Sequence, residues 1–119
     1  MKIKFRESGN IAILDLIGKL TGTPLNSRVY DTVMQLIQLG KHNIVLNLTE
    51  ATHIDALGIG DLVSCKVQVL KESGNLKLAA ASKKLVDFIA KVGLINYFEI
   101  FDEETEAIKS FKHIDKNTE

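Results

Sequence analysis

Residues 43–63, NIVLNLTEATHIDALGIGDLV, decide the reading of this chain. Ile44, Val45, Leu46 and Leu48 make a short apolar run of the kind found in strands buried on both faces. A polar stretch follows. Then Asp55-Ala56-Leu57-Gly58-Ile59-Gly60 opens a helical pattern, with Ile59, Leu62, Val63, Val67 and Leu70 at i, i+3, i+4, i+8 and i+11. Strand, turn and helix in this order are the repeating unit of an α/β fold. Two glycines in a first helical turn cost roughly 0.8–1 kcal/mol each relative to alanine. A tight turn or close helix–strand packing would account for one, and close approach of a partner's backbone for the other.

Outward from this stretch the same alternation continues. Ile3 and Phe5 alternate with charged neighbours, which predicts a half-exposed first strand. Ser8-Gly9-Asn10 is a hairpin turn signal, and residues 11–17 are apolar enough for a strand covered on both faces. Thr23-Pro24 predicts a helix start, with Val29, Val33, Leu36 and Ile37 as its apolar stripe and Gly40 as its stop. After the helix from about residue 57 to 73, residues 76–81 read as a strand. Ser82 caps a helix reaching Val92 with Leu85, Phe88, Ile89 and Val92 inward, and Gly93 stops it. Residues 97–101 read as a short strand. Asp102 is the expected cap of a last helix carrying Ala107, Ile108 and Phe111, and residues 113–119 are a polar tail expected to fray. The expected order is β-β-α-β-α-β-α-β-α: an α/β fold with a mixed sheet and helices packed on it, one domain over residues 1–112.

Bulk properties narrow the function classes. At 119 residues the chain can bury roughly two thirds of its unfolded surface, so it needs no disulfide or metal to fold. Fifteen basic and fifteen acidic residues cancel, so no general attraction to nucleic acid or anionic membrane follows. The single cysteine, Cys65, excludes an internal disulfide and fits a reducing compartment. The opening MKIKFRESGN has no apolar signal-peptide core, and the run at 11–17 is too short to span a bilayer. A cytoplasmic location without direct membrane insertion is the expectation.

Several segments, in order, make the chain resemble the STAS family. They are Ile17-Gly18-Lys19-Leu20 ending the second strand, Asn47-Leu48-Thr49 ending the third, Ile54-Asp55 leading to Gly58-Ile59-Gly60, the strand at 76–81, and the Val92-Gly93-Leu94 turn. The resemblance covers nearly the whole chain. That family includes bacterial anti-sigma factor antagonists, stressosome subunits and cytosolic domains of sulfate transporters. In its antagonists the motif usually reads Asp-Ser-Ser-Gly-Leu-Gly, and a partner kinase phosphorylates the second hydroxyl position to switch binding off. By this resemblance Asp55, Gly58 and Gly60 match. The hydroxyl positions fall on Ala56 and Leu57, so the usual phosphoacceptor position, Leu57, cannot accept phosphate.

Each of these residues also has a plainer reading. Asp55 is a helix cap, a partner contact or both. Leu57, if exposed, strengthens an apolar docking patch with Ile59; if turned inward, it fills core. Thr49, Thr52 and Ser64 are alternative phosphorylation sites or, more ordinarily, turn-formers and surface hydroxyls. Gly58-Ile59-Gly60 lacks the third glycine of a dinucleotide fingerprint, since Val63 stands there. His42, His53 and His113 share no metal spacing with Cys65. Cys65 sits one residue off the inward stripe, which predicts semi-buried packing. Lys83, Lys84 and Lys91 read as a solvated face.

The expectation from sequence is a non-catalytic interaction module, without cofactor or metal. It resembles an anti-sigma factor antagonist that binds an anti-sigma factor or a related kinase-like protein in a partner-switching pathway. Asp55, Ala56, Leu57, Gly58, Ile59, Gly60, Thr21 and Thr23 are its candidate contacts, with the loops at 19–26 and 49–55 beside them. No nucleic-acid partner is expected, and a homodimer stays open. The alternatives are an accessory subunit of a membrane transporter, or a nucleotide- or lipid-sensing module binding at the Gly58 helix start.

Overall fold

The computed structural model describes residues 1–21 and 28–117, with side chains apart from Arg28 and residues 112–117. Its elements are β1 (Lys2–Ser8), β2 (Ile11–Leu20), α1 (Arg28–Gln38), β3 (Asn43–Asn47), β4 (Ala51–Ile54), α2 (Ala56–Lys71), β5 (Asn75–Ala79), α3 (Lys83–Lys91), β6 (Ile100–Phe101) and α4 (Glu104–Asn117). The sheet runs β1-β2-β3-β5-β6, with β4 paired to β2 beyond the end of β3. The hairpin β1–β2 is antiparallel and every other pairing is parallel, giving the expected mixed sheet.

Alternation along β2 sorts its side chains to two layers. Ala12, Leu14, Leu16 and Leu20 join Ile44, Leu46, Leu76 and Leu78 under α1, α2 and α3. Ile11 and Ile13 join Val45 and Ala79 under Ala107 and Phe111 of α4. Helices thus cover both faces, which is why β2, β3 and β5 read as nearly continuous apolar runs. The stripe Val29, Val33 and Leu36 of α1 is buried as its spacing predicts, with Ile37 packed at the margin.

Four features differ from the sequence expectation. The stretch placed in a loop at 49–55 contains β4, which pairs Gly18↔Ala51, Lys19↔His53 and Leu20↔Ile54. The cause is the length of β2: its early residues pair with β3, and its later ones offer a free edge that the chain re-enters after the turn at Leu48. Gly18 sits at φ 107 beside the register shift in this ladder, a backbone region that only glycine adopts readily. Along α2 the buried face is Gly58, Ile59, Leu62, Cys65, Lys66 and Val69, while Val67 and Leu70 are exposed. The helix is apolar around most of its girth, so periodicity misplaced the inward line and Cys65 lies fully inside it. The last strand is only Ile100–Phe101, because the amides of Tyr97 and Phe98 turn back to the carbonyl of Leu94. Finally, α4 begins at Glu104, and the Glu103 amide rather than Asp102 makes the capping contact, donating to the Glu106 carboxylate. The boundary placed at residue 112 falls inside α4, and the predicted cap at Thr23-Pro24 lies outside the described residues.

Candidate functional site

The chain leaves β4 at Ile54 and turns sharply into α2 at Asp55. Asp55 holds extended geometry, φ −121 and ψ −176, and its carboxylate accepts from the Gly58 amide at 2.8 Å, so the cap read from sequence is present. Its own amide donates to the carbonyl of Leu20 at 3.3 Å, which locks the helix entrance to the end of β2. Gly58 presses on the same carbonyl: a Cβ there would lie 1.8 Å from the Leu20 oxygen. Gly58 is therefore a packing residue, required by close helix–strand approach. Gly60 is the opposite case: it is exposed, and a Cβ added there would have nothing within 4 Å.

Leu57 is 54% exposed, which settles its orientation: it projects from the first turn of α2. Ile59 is buried in the main core, so the patch expected from Leu57 with Ile59 does not form. The surroundings of Leu57 come instead from further along the helix. At about 100° per residue, Leu57, Ser64, Gly60, Val67 and Ala56 succeed one another around the outer face, all exposed. Half-buried Val63 and exposed Leu70 complete that arc, Lys71 at the far end is its one charged member, and half-buried Gln68 and Asp61 border it beside Leu57. The outer face of α2 is thus apolar or small along most of its length, where a solvent-facing helix ordinarily carries charge.

Of the other candidates, Thr21 is exposed directly after β2, and Thr23 lies outside the described residues. Thr49 serves its turn: its amide and hydroxyl both donate to Asn47 Oδ1, at 2.9 and 2.6 Å. Thr52 is exposed, with its hydroxyl 3.0 Å from His53 Nδ1. Ser64 is exposed on the outer face of α2. Burial pushes the Cys65 thiol up to about 12, with Asp61 adding to the effect, so the thiol stays protonated and inert. No group of histidine, cysteine and acidic residues suited to a metal occurs among the described residues.

Three charged arrangements have no counterpart in the sequence reading. Lys77, fully buried in β5, donates to Ser110 Oγ at 2.7 Å, pairs with Glu99 at 3.3 Å and lies 4.3 Å from the ring centre of Phe111. Lys66, on the buried side of α2, donates to the Tyr97 carbonyl, and desolvation lowers its pKa. A lysine between leucines in NLKLA was the only available signal for the first. On the α4 side, Arg6 grips Asp15 at 2.7 Å and Glu104 at 2.6 Å, and Asn47 Nδ2 donates to Glu104 at 2.8 Å. The guanidinium hydrogen bonds hold both carboxyls below their usual range.

The architecture and its tip define a class: a small α/β domain with helices on both sheet faces and one outward, self-capped helix entrance. The family model described as STAS domain matches residues 2–107, and the chain belongs to that family. No curated protein sequence matches significantly. Among solved structures, a Thermotoga maritima protein, tm1081, described as a candidate anti-sigma factor antagonist, is similar at TM-score 0.80 and 18% identity over 91% of this chain and 92% of that one. The anti-sigma factor antagonist SpoIIAA, unphosphorylated, matches at TM-score 0.70 and 16% identity over 93% and 98%. A sulfate transporter family protein from Wolinella succinogenes matches at 0.76 and 19% over 90% and 88%. At these identities the likeness establishes the shared fold. Among the described residues, no helix is long and apolar enough to cross a membrane.

Proposed function

We propose that this chain is a non-catalytic docking module of the anti-sigma factor antagonist type. Its partner is an anti-sigma factor or related kinase-like protein, gripped at the α2 entrance through Asp55, Ala56, Leu57 and Gly60, with Thr21 beside them. The observation that carries the reading is the exposed Leu57 on an outer helix face nearly free of charge. Such a face costs solubility unless another surface covers it. Gly58 and Ile59 act from beneath, setting the position of the tip. With leucine at the family's usual acceptor position, the tip carries no hydroxyl to phosphorylate there, and the module stays competent to bind. Thr52 and Ser64 retain exposed hydroxyls and are the remaining candidate phosphosites; Thr49 is engaged in its turn.

The test is binding of a purified kinase-type anti-sigma factor from the same cell, measured by calorimetry. Leu57→Asp places a carboxylate where relatives carry phosphate, and it is expected to weaken binding about a hundredfold, about 2.7 kcal/mol. Circular dichroism and thermal melting should match the parent chain, because the side chain is on the surface. Unchanged affinity in a folded Leu57→Asp variant would refute the reading. The fold likeness to a transporter-family protein supports a second reading, docking on a transport protein as an accessory subunit. Recovery of the chain with a permease or its ATPase, lost in the same variant, would favour that alternative.

A further inference from the structure

Next to the α2 entrance, β4 and α3 enclose a groove of about 560 Å³. Its floor is Ile54, Leu85 and Phe88, which are buried or half-buried, and its rim is the exposed His53, Lys83, Lys84 and Lys91 with Asp87 the single acid. Lys84, Phe88 and Lys91 share one helix face by their spacing of four and three. The volume is in the usual range for small-molecule sites, roughly 300–1,000 Å³, which are likewise mainly apolar with a few polar groups.

The charge here is local and unspent. The chain as a whole is neutral. The ion pairs among the described residues involve Arg6, Lys41 and Lys77, and none involves Lys83, Lys84 or Lys91. Three ammonium groups therefore border an apolar trough with one carboxylate between them. The neighbouring helix entrances offer an anion less. At α2, Asp55 already occupies the Gly58 amide and presents its own negative charge; at α3, Ser82 Oγ occupies the Leu85 amide at 3.2 Å. An anionic ligand expected at the Gly58 helix start would meet a carboxylate there, and lysines in the groove.

We propose that this groove binds a small amphiphilic anion. Its apolar body lies on Ile54, Leu85 and Phe88, and its carboxylate or phosphate is held by Lys83, Lys84 and Lys91. The groove adjoins the proposed docking tip, but its ligand is recognised by different groups and is tested without any partner protein. Both halves of the ligand are needed: the lysines alone are a solvated patch, and the trough alone offers an apolar molecule only Ile54, Leu85 and Phe88.

The test is an amide-shift titration of the isotope-labelled full chain with hexyl phosphate, inorganic phosphate and hexanol as separate probes. Hexyl phosphate is expected to move the amides of Ile54, Leu85, Phe88 and Lys91 together, and to bind at least about tenfold more tightly than either other probe. The triple variant Lys83→Gln/Lys84→Gln/Lys91→Gln changes only exposed side chains, and a matching circular dichroism spectrum confirms its fold. Its affinity for hexyl phosphate should fall by about tenfold or more. Shifts scattered over the surface, undiminished binding by the folded variant, or inorganic phosphate binding as tightly as hexyl phosphate would each overturn the proposal. So would sedimentation with phosphatidylglycerol vesicles while hexyl phosphate leaves the groove unmoved, since the lysines would then serve a membrane surface.

Discussion

The two faces of the sheet are covered in opposite ways. Under α4 a small apolar cluster is rimmed by charge: Arg6 ties β1 to Asp15 of β2 and Glu104 of α4, and Lys77 is buried beside Phe111. Under α1, α2 and α3 the contact is a large apolar core, and the outward side of α2 carries almost no charge. The buried and clamped charges of the α4 side find their partners within the chain. Where charge is sparse, on α2, lies the surface for which we propose a partner outside the chain. Absent charge can thus be as informative about function as a cluster of polar groups.

The sharpest way to break this contrast is at the α2 entrance. Gly58→Ala forces a methyl group onto the Leu20 carbonyl and should destabilise the fold by about 3 kcal/mol, read from urea unfolding. A loss below about 1 kcal/mol would mean that the helix start yields and that Gly58 is not a packing residue.

The α4 side is tested through its ionic clamp. Asp15 and Glu104 have ordinary values of 3.8 and 4.5, and in the folded chain both are lowered, chiefly by hydrogen bonds from Arg6. Their contribution is fully present above about pH 4.5 and is lost as pH falls through the folded values. Arg6 is partly exposed, so solvent screening keeps the effect modest. Arg6→Ala is expected to cost about 1 kcal/mol near neutral pH, and to make the acid-side decline in stability shallower. Parallel declines in both chains would show that the clamp contributes nothing to acid sensitivity.

Gly60→Ala has the smallest expected effect on folding and the opposite sign. The site is open, and alanine should stabilise the helix by up to about 0.8–1 kcal/mol. The two glycines, two residues apart, should therefore separate cleanly in one melting experiment. If Gly60→Ala also weakens partner binding, its bare backbone is a contact; unchanged binding restricts the contact to Leu57 and its other neighbours.

Much of this was readable in advance, because local rules act locally. The Asp55 and Ser82 caps, the α1 stripe and the doubly covered β2 all followed from residue type and spacing. The misses have different origins. The four residues Ala51, Thr52, His53 and Ile54 are too few to show a strand period, and their pairing is dictated by a distant edge of β2. The inward line of α2 was ambiguous because Val63, Val67 and Leu70 are as apolar as the residues that are buried. Arg6 and Glu104 are 98 positions apart, and no local pattern announces that pair. At the candidate site, the cap was visible and the separate duties of the two glycines were not, since only the position of the Leu20 carbonyl distinguishes them.

That carbonyl has a thermodynamic consequence. It accepts the Asp55 amide and abuts the Gly58 Cα, so the end of β2 and the first turn of α2 move as one body. A partner docking on Leu57, as proposed, would meet a tip already tied to β2 and would cost little conformational entropy on the side of this chain. Association should then be fast and close to rigid-body in character, with selectivity arising from shape rather than from folding upon contact.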